Sequence, residues 1–207
     1  MATAILDAAR DLFVSEGYPN VSIRKIAERI EYSPATIYGY FPSKDDIFFA
    51  LAEEGFRLLI ATGEQRAAPS TDPLDVVRAP FWRVYEFSKS HPEYFALMFL
   101  DRSVPRISRD WGRFGFVRDM RVEIGAVIQR AIDAGHFPPG TNPDAVFRIL
   151  LITVQGAALG RLCDRLAPGD DGDALAHDTL EAALTGLRAG FKTTFHPAPC
   201  IDTQESK

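Results

Sequence analysis

Apolar residues recur at helical spacing along nearly the whole chain. Nowhere do they alternate with the period of two that marks a half-buried strand. In the first segment Ile5, Ala9, Leu12 and Phe13 fall at i, i+4, i+7 and i+8, while Asp7, Arg10, Asp11 and Glu16 take the opposite face. A chain patterned this way is all-α. Its 207 residues suffice for one domain, or a small one beside a medium one, with a core that needs no staples.

Local chemistry sets the helix boundaries. Gly17 ends the first helix, and Pro19-Asn20 makes a turn. Ser22 caps a second helix carrying Ile23, Ile26, Ala27 and Ile30. After a break at Glu31-Tyr32, Ser33 caps a third helix with Pro34 at its first position, and Gly39 and Pro42 keep it short. Ser43 caps a fourth, Lys44 to about Arg66, striped with Ile47, Leu51, Leu58 and Leu59. The APSTDP stretch, 68–73, reads as a loop. Further helical patterns cover 73–90, where Pro80 is expected to kink or divide the helix, then 92–100, 106–134, 144–166 and 174–193. The tail 196–207 has no apolar period and is expected to be mobile.

Composition narrows the function. Net charge is −5, so any nucleic-acid function must rest on a local patch. Cys163 and Cys200 are too few for a disulfide framework or a cysteine zinc site, and suit a reducing, cytoplasmic setting. The N-terminus lacks the pattern of a signal peptide. The most apolar run, Ile149–Val154, is far shorter than the ~20 residues that span a bilayer, so a membrane class is not expected. The four histidines are widely spread, and no nucleophile elbow, P-loop or dinucleotide fingerprint is present, so no enzyme, metal or cofactor is nominated.

Two short helices joined by a tight turn form a helix-turn-helix candidate. The third helix offers Pro34, Ala35 and Thr36 at its N-terminus, small enough to sit deep in a major groove and touch base edges. Tyr38 and Tyr40 carry hydroxyls for backbone phosphates, and Lys44 opens the fourth helix beside free N–H groups. Ile37 and Phe41 turn inward. Between residues 22 and 44, Arg24, Lys25, Arg29 and Lys44 face Glu28 and Glu31, leaving +2 within a chain of −5. That excess is modest, so two copies are expected to act together.

The segments ILDAARDLFVSEGY, SIRKIAERI and YSPATIYGYFPSKDDIF resemble the DNA-binding domain of the tetracycline-repressor (TetR) family over roughly residues 4 to 55. The most specific piece is Ile37-Tyr38-Gly39-Tyr40-Phe41-Pro42-Ser43-Lys44. The resemblance implies a three-helix DNA-binding domain over 1–45, a linking fourth helix over 44–66, and a helical domain over 46–195. That larger domain would bind a small molecule and pair two subunits. The resemblance also implies base contacts from Arg24, Pro34, Ala35 and Thr36, and phosphate contacts from Ser22, Tyr38, Tyr40 and Lys44. Two positions depart from the family pattern: Glu31 stands where glycine is usual, and Gly39 where an aromatic is usual. If the turn keeps a positive φ, Glu31 costs about 1 kcal/mol.

Ten of the 23 aromatics lie between residues 81 and 120. With the family's effector cavity in mind, Trp82, Tyr85, Phe99, Trp111 and Phe114 are the ligand-pocket candidates, suited to a flat or greasy molecule. Arg118 or Arg121 would meet an anionic group, although a surface role fits either. Gly156, Gly160, Gly186 and Gly190, spaced four apart on the last two helices, are the dimer-interface candidates. The expected function is a homodimeric repressor released from a palindromic double-stranded operator by a small molecule, with no membrane partner. The alternative is a helix-turn-helix regulator without a small-molecule switch, acting as an activator or through a protein partner.

Overall fold

A computed structural model describes residues 1–64, 72, 74–106, 112–195 and 197. Every regular element among the described residues is helical. The order is α1 (Ala2–Glu16), a 3-10 turn (Tyr18–Asn20), α2 (Ile23–Arg29), α3 (Pro34–Tyr38), α4 (Lys44–Glu64), α5 (Asp75–Ser90), α6 (Pro92–Phe95) running into a π turn (Ala96–Leu100), α7 (Gly115–Asp133), α8 (Pro143–Leu162) and α9 (Gly172–Arg188).

Helices α1 to α3 close around a small core of Ile5, Ala9, Phe13, Ile26, Ala27 and Ile37, each almost fully buried. We call this unit the head. Ile47 and Phe48 of α4 join the same apolar cluster, which runs on without a break into the rest of the molecule. Beyond α4, helices α5, α7, α8 and α9 pack on one another, with α8 lying against α5, α7 and α9. Its buried side presents Ala145, Val146, Leu150, Val154 and Ala158.

Several boundaries differ from the sequence expectation. Helix α5 runs through Pro80 undivided, because a proline in the second turn leaves only one carbonyl without its donor. Helix α7 begins at Gly115, not near residue 106, and Phe114 is its uncapped N-cap. Trp111 lies outside the described residues, so the helical i, i+3 pairing of Trp111 with Phe114 has no support. Helix α8 ends at Leu162 and α9 at Arg188, each a few residues early. The loop 68–73 is described only at Asp72, and the tail 196–207 only at Pro197.

The ends of α8 and α9 share one device. Arg165 donates to Gly160 O at 2.8 Å and Asp164 to Arg161 O at 3.3 Å, with Asp164 at φ 51. Phe191 donates to Gly186 O and Gly190 to Leu187 O, with Gly190 at φ 85. Both are Schellman caps, in which one left-handed residue lets the last carbonyls find donors.

Helix α8 is also long and apolar enough, by length and composition alone, to cross a membrane. Arg148 and Gln155 interrupt its apolar residues, so no single unbroken run in the sequence is that long. The reason for the composition lies in the packing: α8 is apolar on its buried side and apolar again outside, where Ile152 is 66% and Leu159 42% exposed.

Candidate nucleic-acid interface

Local chemistry builds the helix-turn-helix. Ser22 Oγ accepts from the backbone N–H of Lys25 at 3.2 Å and so caps α2. Ser33 Oγ accepts from Thr36 N at 3.2 Å and caps α3, whose first residue is Pro34. Between them α2 ends in a third Schellman cap, where Tyr32 donates to Ala27 O at 2.9 Å and Glu31 to Glu28 O at 3.3 Å. Glu31 stands at φ 60, so the left-handed turn is kept without the usual glycine. Gly39, by contrast, sits at φ −69 in right-handed backbone. The recognition helix spans five residues, and its hydrogen bonds run on to Phe41, which donates to Ile37 O at 2.9 Å.

This geometry sorts the side chains of α3 into two sets. Ile37 is fully buried and Phe41 half-buried against the core. Pro34, Ala35, Tyr38 and Tyr40 face solvent, and Thr36 is half-buried with its Oγ1 3.0 Å from Ser33 Oγ. Tyr38 is 55% and Tyr40 51% exposed. Tyr32, in the break between α2 and α3 and not among the expected contacts, is 49% exposed just before the cap of α3. The signal for it was present: three of the chain's six tyrosines fall within residues 32–40. Exposed tyrosines are uncommon enough on a free surface to mark a contact face.

The cations are less free than their count suggests. Arg24 is 82% exposed and pairs with Glu28 one turn on at 2.9 Å, an exposed pair of small energy. Lys25 pairs with Glu16 of α1. Lys44 donates from Nζ to the carbonyl oxygens of Tyr18 at 2.8 Å and Val21 at 2.9 Å. Burial pushes the Lys44 ammonium below its usual value, against Asp45, whose charge pulls it up. An ammonium has three donors, so one N–H of Lys44 is left for an outside acceptor.

The ligand-pocket candidates separate into two places. Tyr85 is fully buried, and its hydroxyl donates to Asp173 Oδ1 at 2.9 Å and Gly172 O at 3.0 Å. Trp82 stacks beside it at 5.1 Å and meets His177 edge-on at 6.1 Å. These two hold the start of α9. Phe99 and Phe114 lie instead in a cluster with Phe56, Phe95 and Phe116, at centroid distances of 5.0–6.4 Å. Arg121 donates to Asp144 at 3.0 Å and lies over Phe147, whereas Arg118 is exposed beside Asp119. A cleft of about 780 Å³ opens elsewhere, between the end of α7 and the end of α9, lined by His136, Phe137, Pro138 and Arg188 among others. A second, of about 370 Å³, lies on the outer face of α8 and α9, between Ile152, Gly156, Gly160, Leu166 and Leu175. Neither is lined by Trp82, Tyr85, Phe99 or Phe114.

Of the four dimer-interface glycines, Gly156 and Gly160 line this outer trough. A Cβ on Gly156 or Gly186 meets nothing within 4 Å. Gly190 is not on the α9 face, because it is the left-handed residue past the helix end and its glycine answers to backbone geometry. Among the described residues no three metal-ligating side chains converge.

The family model for bacterial regulatory proteins of the tetR family matches residues 5–51. Over 61 residues, 30% of this chain, it is 36% identical to the HTH-type transcriptional repressor Rv1474c of Mycobacterium tuberculosis, and the match spans a third of that repressor. The HTH-type transcriptional repressor AcnR of Corynebacterium diphtheriae is 26% identical over 173 residues, 83% of each chain. The fold is similar to that of the transcriptional regulator FadR from Bacillus subtilis in complex with stearoyl-CoA. There the TM-score is 0.70 and the identity 17%, over 90% of this chain and 99% of that one.

Proposed function

We propose that this chain, whose residues 5–51 match the model for bacterial regulatory proteins of the tetR family, is a transcriptional regulator: a homodimeric repressor that holds a palindromic operator and is released by a small hydrophobic ligand. One observation carries the DNA reading. The short α3 buries only Ile37 and turns Pro34, Ala35, Tyr38 and Tyr40 outward, with Thr36 at its rim. Pro34, Ala35 and Thr36 then meet base edges, with Arg24 beside them. Ser22, Tyr38, Tyr40 and the spare donor of Lys44 meet phosphates.

The uncovered apolar face of α8 and α9 supports the dimer. Ile152 and Leu175 are exposed in a trough lined also by Gly156 and Gly160, and a second copy of the same face fills it about a two-fold axis. Residues 1–45 form the DNA-binding domain and 46–195 the body, acting in the cytoplasm where the chromosome lies. Selection of binding sites from random duplex DNA at fixed salt tests this. Two half-sites centred about 34–36 Å apart, or a multiple, are expected for a two-fold dimer. Enrichment of a single half-site would sink it.

Support for a ligand is the cluster of Phe56, Phe95, Phe99, Phe114 and Phe116 between α4, α6 and α7, together with the acyl-CoA held by the structurally similar FadR. Stearoyl-CoA is therefore the first probe, and saturation with it is expected to weaken operator binding. A specific observation favours the reading without a small-molecule switch. Phe114 is fully buried and edge-packed against Phe49 and Phe56, which leaves the cluster filled by its own side chains. Operator affinity unmoved by long-chain and flat aromatic probes alike decides for that alternative.

A further inference from the structure

Tyr94 is a meeting point of three helices: its hydroxyl faces α1 and its ring faces α4. Tyr94 lies in α6 and is 4% exposed. Arg10 of α1 donates to its hydroxyl from Nη1 at 3.2 Å, and the guanidinium carbon lies 5.5 Å from the ring centroid. Burial raises the phenol above its usual value, and the bond from Arg10 pulls it back down. Arg10 is itself aimed by two carboxylates of its own helix, Asp7 at 3.1 Å and Asp11 at 3.6 Å.

Helix α4 comes this close because Gly55 has no side chain. A Cβ at Gly55 would overlap Met98 Sδ in the π turn and stand 3.0 Å from Tyr94 Cδ1. The i→i+5 bond that makes that turn, Asp101 N to Ala96 O at 2.9 Å, places Met98 beside Tyr94 over the gap. A π turn in a short helix is a local irregularity that often marks a functional position.

Apart from the Lys25–Glu16 pair with α2, the other side-chain contacts of α1 with its neighbours among the described residues are apolar, through Ile5, Ala9 and Phe13. Apolar surfaces are non-directional and permit small rotations, whereas a hydrogen bond weakens steeply with angle. We infer that the Arg10–Tyr94 bond, seated against α4 at Gly55, is a positioning device that sets the angle of the head on the body, and through it the spacing between half-sites that the dimer accepts. The inference rests on the dimeric DNA-binding reading above. Tyr94 and Arg10 touch no DNA in it; they act through the placement of α3.

The test uses the full chain with Tyr94→Phe, which keeps the ring, and separately Arg10→Met, which keeps the stem. Each is titrated with the selected operator and with versions carrying one base pair more or fewer between half-sites. One base pair moves the far half-site by about 3.4 Å and turns it by about 34°, so the wild type is expected to lose at least about tenfold on either change. In both variants that ratio is expected to shrink to about threefold or less, roughly the loss of one hydrogen bond. If the variants keep the wild-type ratio, the inference is overturned, whether or not overall affinity or melting temperature falls. A wild type that selects no paired half-sites overturns the dimeric reading and this inference together.

Discussion

The Lys44 ammonium donates to the Tyr18 carbonyl at 2.8 Å and sits 4.1 Å from the centroid of that residue's ring. It ties the first turn of α4 to the 3-10 turn that joins α1 to α2. The neighbouring Asp45 accepts from the Tyr18 hydroxyl, which burial first and then that bond push up. Lys44 is thus part of the head's framework as well as a phosphate candidate. Lys44→Ala is expected to lower the stability of the head by about 2 kcal/mol, the range for hydrogen bonds to a charged group. It is also expected to weaken binding alike at every DNA sequence and to reduce the salt slope by about 1 per half-site. Urea unfolding and titrations at several salt concentrations check the two effects separately. A shift in the preferred sequence would contradict the phosphate role, and an unchanged urea midpoint the framework role.

Glu31 occupies a backbone position at φ 60 that costs an ordinary L-residue roughly 1–2 kcal/mol. Glycine there removes that strain but loses more chain entropy on folding, so Glu31→Gly is expected to stabilise by about 0.5–1 kcal/mol. Asp164, at φ 51 past α8, is the internal comparison. Aspartate tolerates the left-handed region better, so Asp164→Gly is expected to gain less. Denaturant midpoints with an unchanged m-value decide. A loss of stability in Glu31→Gly would mean that the carboxylate makes a compensating interaction.

The contrast between what was legible and what was not follows sequence separation. Ser22, Ser33 and Pro34 announce their helices because capping is chemistry within three residues. The brevity of α3 was readable from Gly39 and Pro42, and the inward turn of Ile37 from periodicity. Tyr85 was not readable as a partner of Asp173, 88 residues away, because aromatic spacing on one helix says nothing of what faces it. The start of α7 was missed because Phe114 caps with no side-chain acceptor, so the boundary carries no local signature. Lys44 was read only as a phosphate contact, because its two carbonyl partners lie 23 and 26 residues back in the chain.

Asp173 is held below the usual aspartate range, first by the hydrogen bond from Lys89 and then by that from Tyr85. A carboxylate depressed in the folded state adds stability above its ordinary value of 3.8, and that stability is lost as pH falls through the lower folded value. Asp173→Asn is expected to melt below the wild type at pH 7, with the two curves drawing together as the pH falls below about 4. Tyr85→Phe, which removes the hydroxyl from a fully buried ring, is expected to cost about 1 kcal/mol at neutral pH. Glu53 is depressed in the same sense by Arg57, so acid still destabilises the Asp173→Asn variant. Thermal melts from pH 3 to 7 read this directly. A gap between the two proteins that stays constant across the range would show that Asp173 contributes nothing through its charge.

Ile152 and Val76 are two exposed aliphatics of nearly equal exposure, 66% and 61%, on different helices. Ile152 borders the α8–α9 trough, whereas Val76 lies on the outer side of α5. Neither supports the fold of a single chain, so a glutamate at either position leaves the subunit stable. In a two-fold dimer Ile152→Glu places two carboxylates near the axis with no partners, which costs several kcal/mol. A loss of about 3 kcal/mol raises the dimer dissociation constant roughly 100-fold. Sedimentation at micromolar concentration is then expected to show Ile152→Glu at half the wild-type mass and Val76→Glu unchanged. Operator affinity is expected to fall with the first and not the second, because the +2 footprint of one head holds DNA weakly alone. An Ile152→Glu protein that stays dimeric would place the subunit contact elsewhere and leave the trough between α8 and α9 open for another occupant.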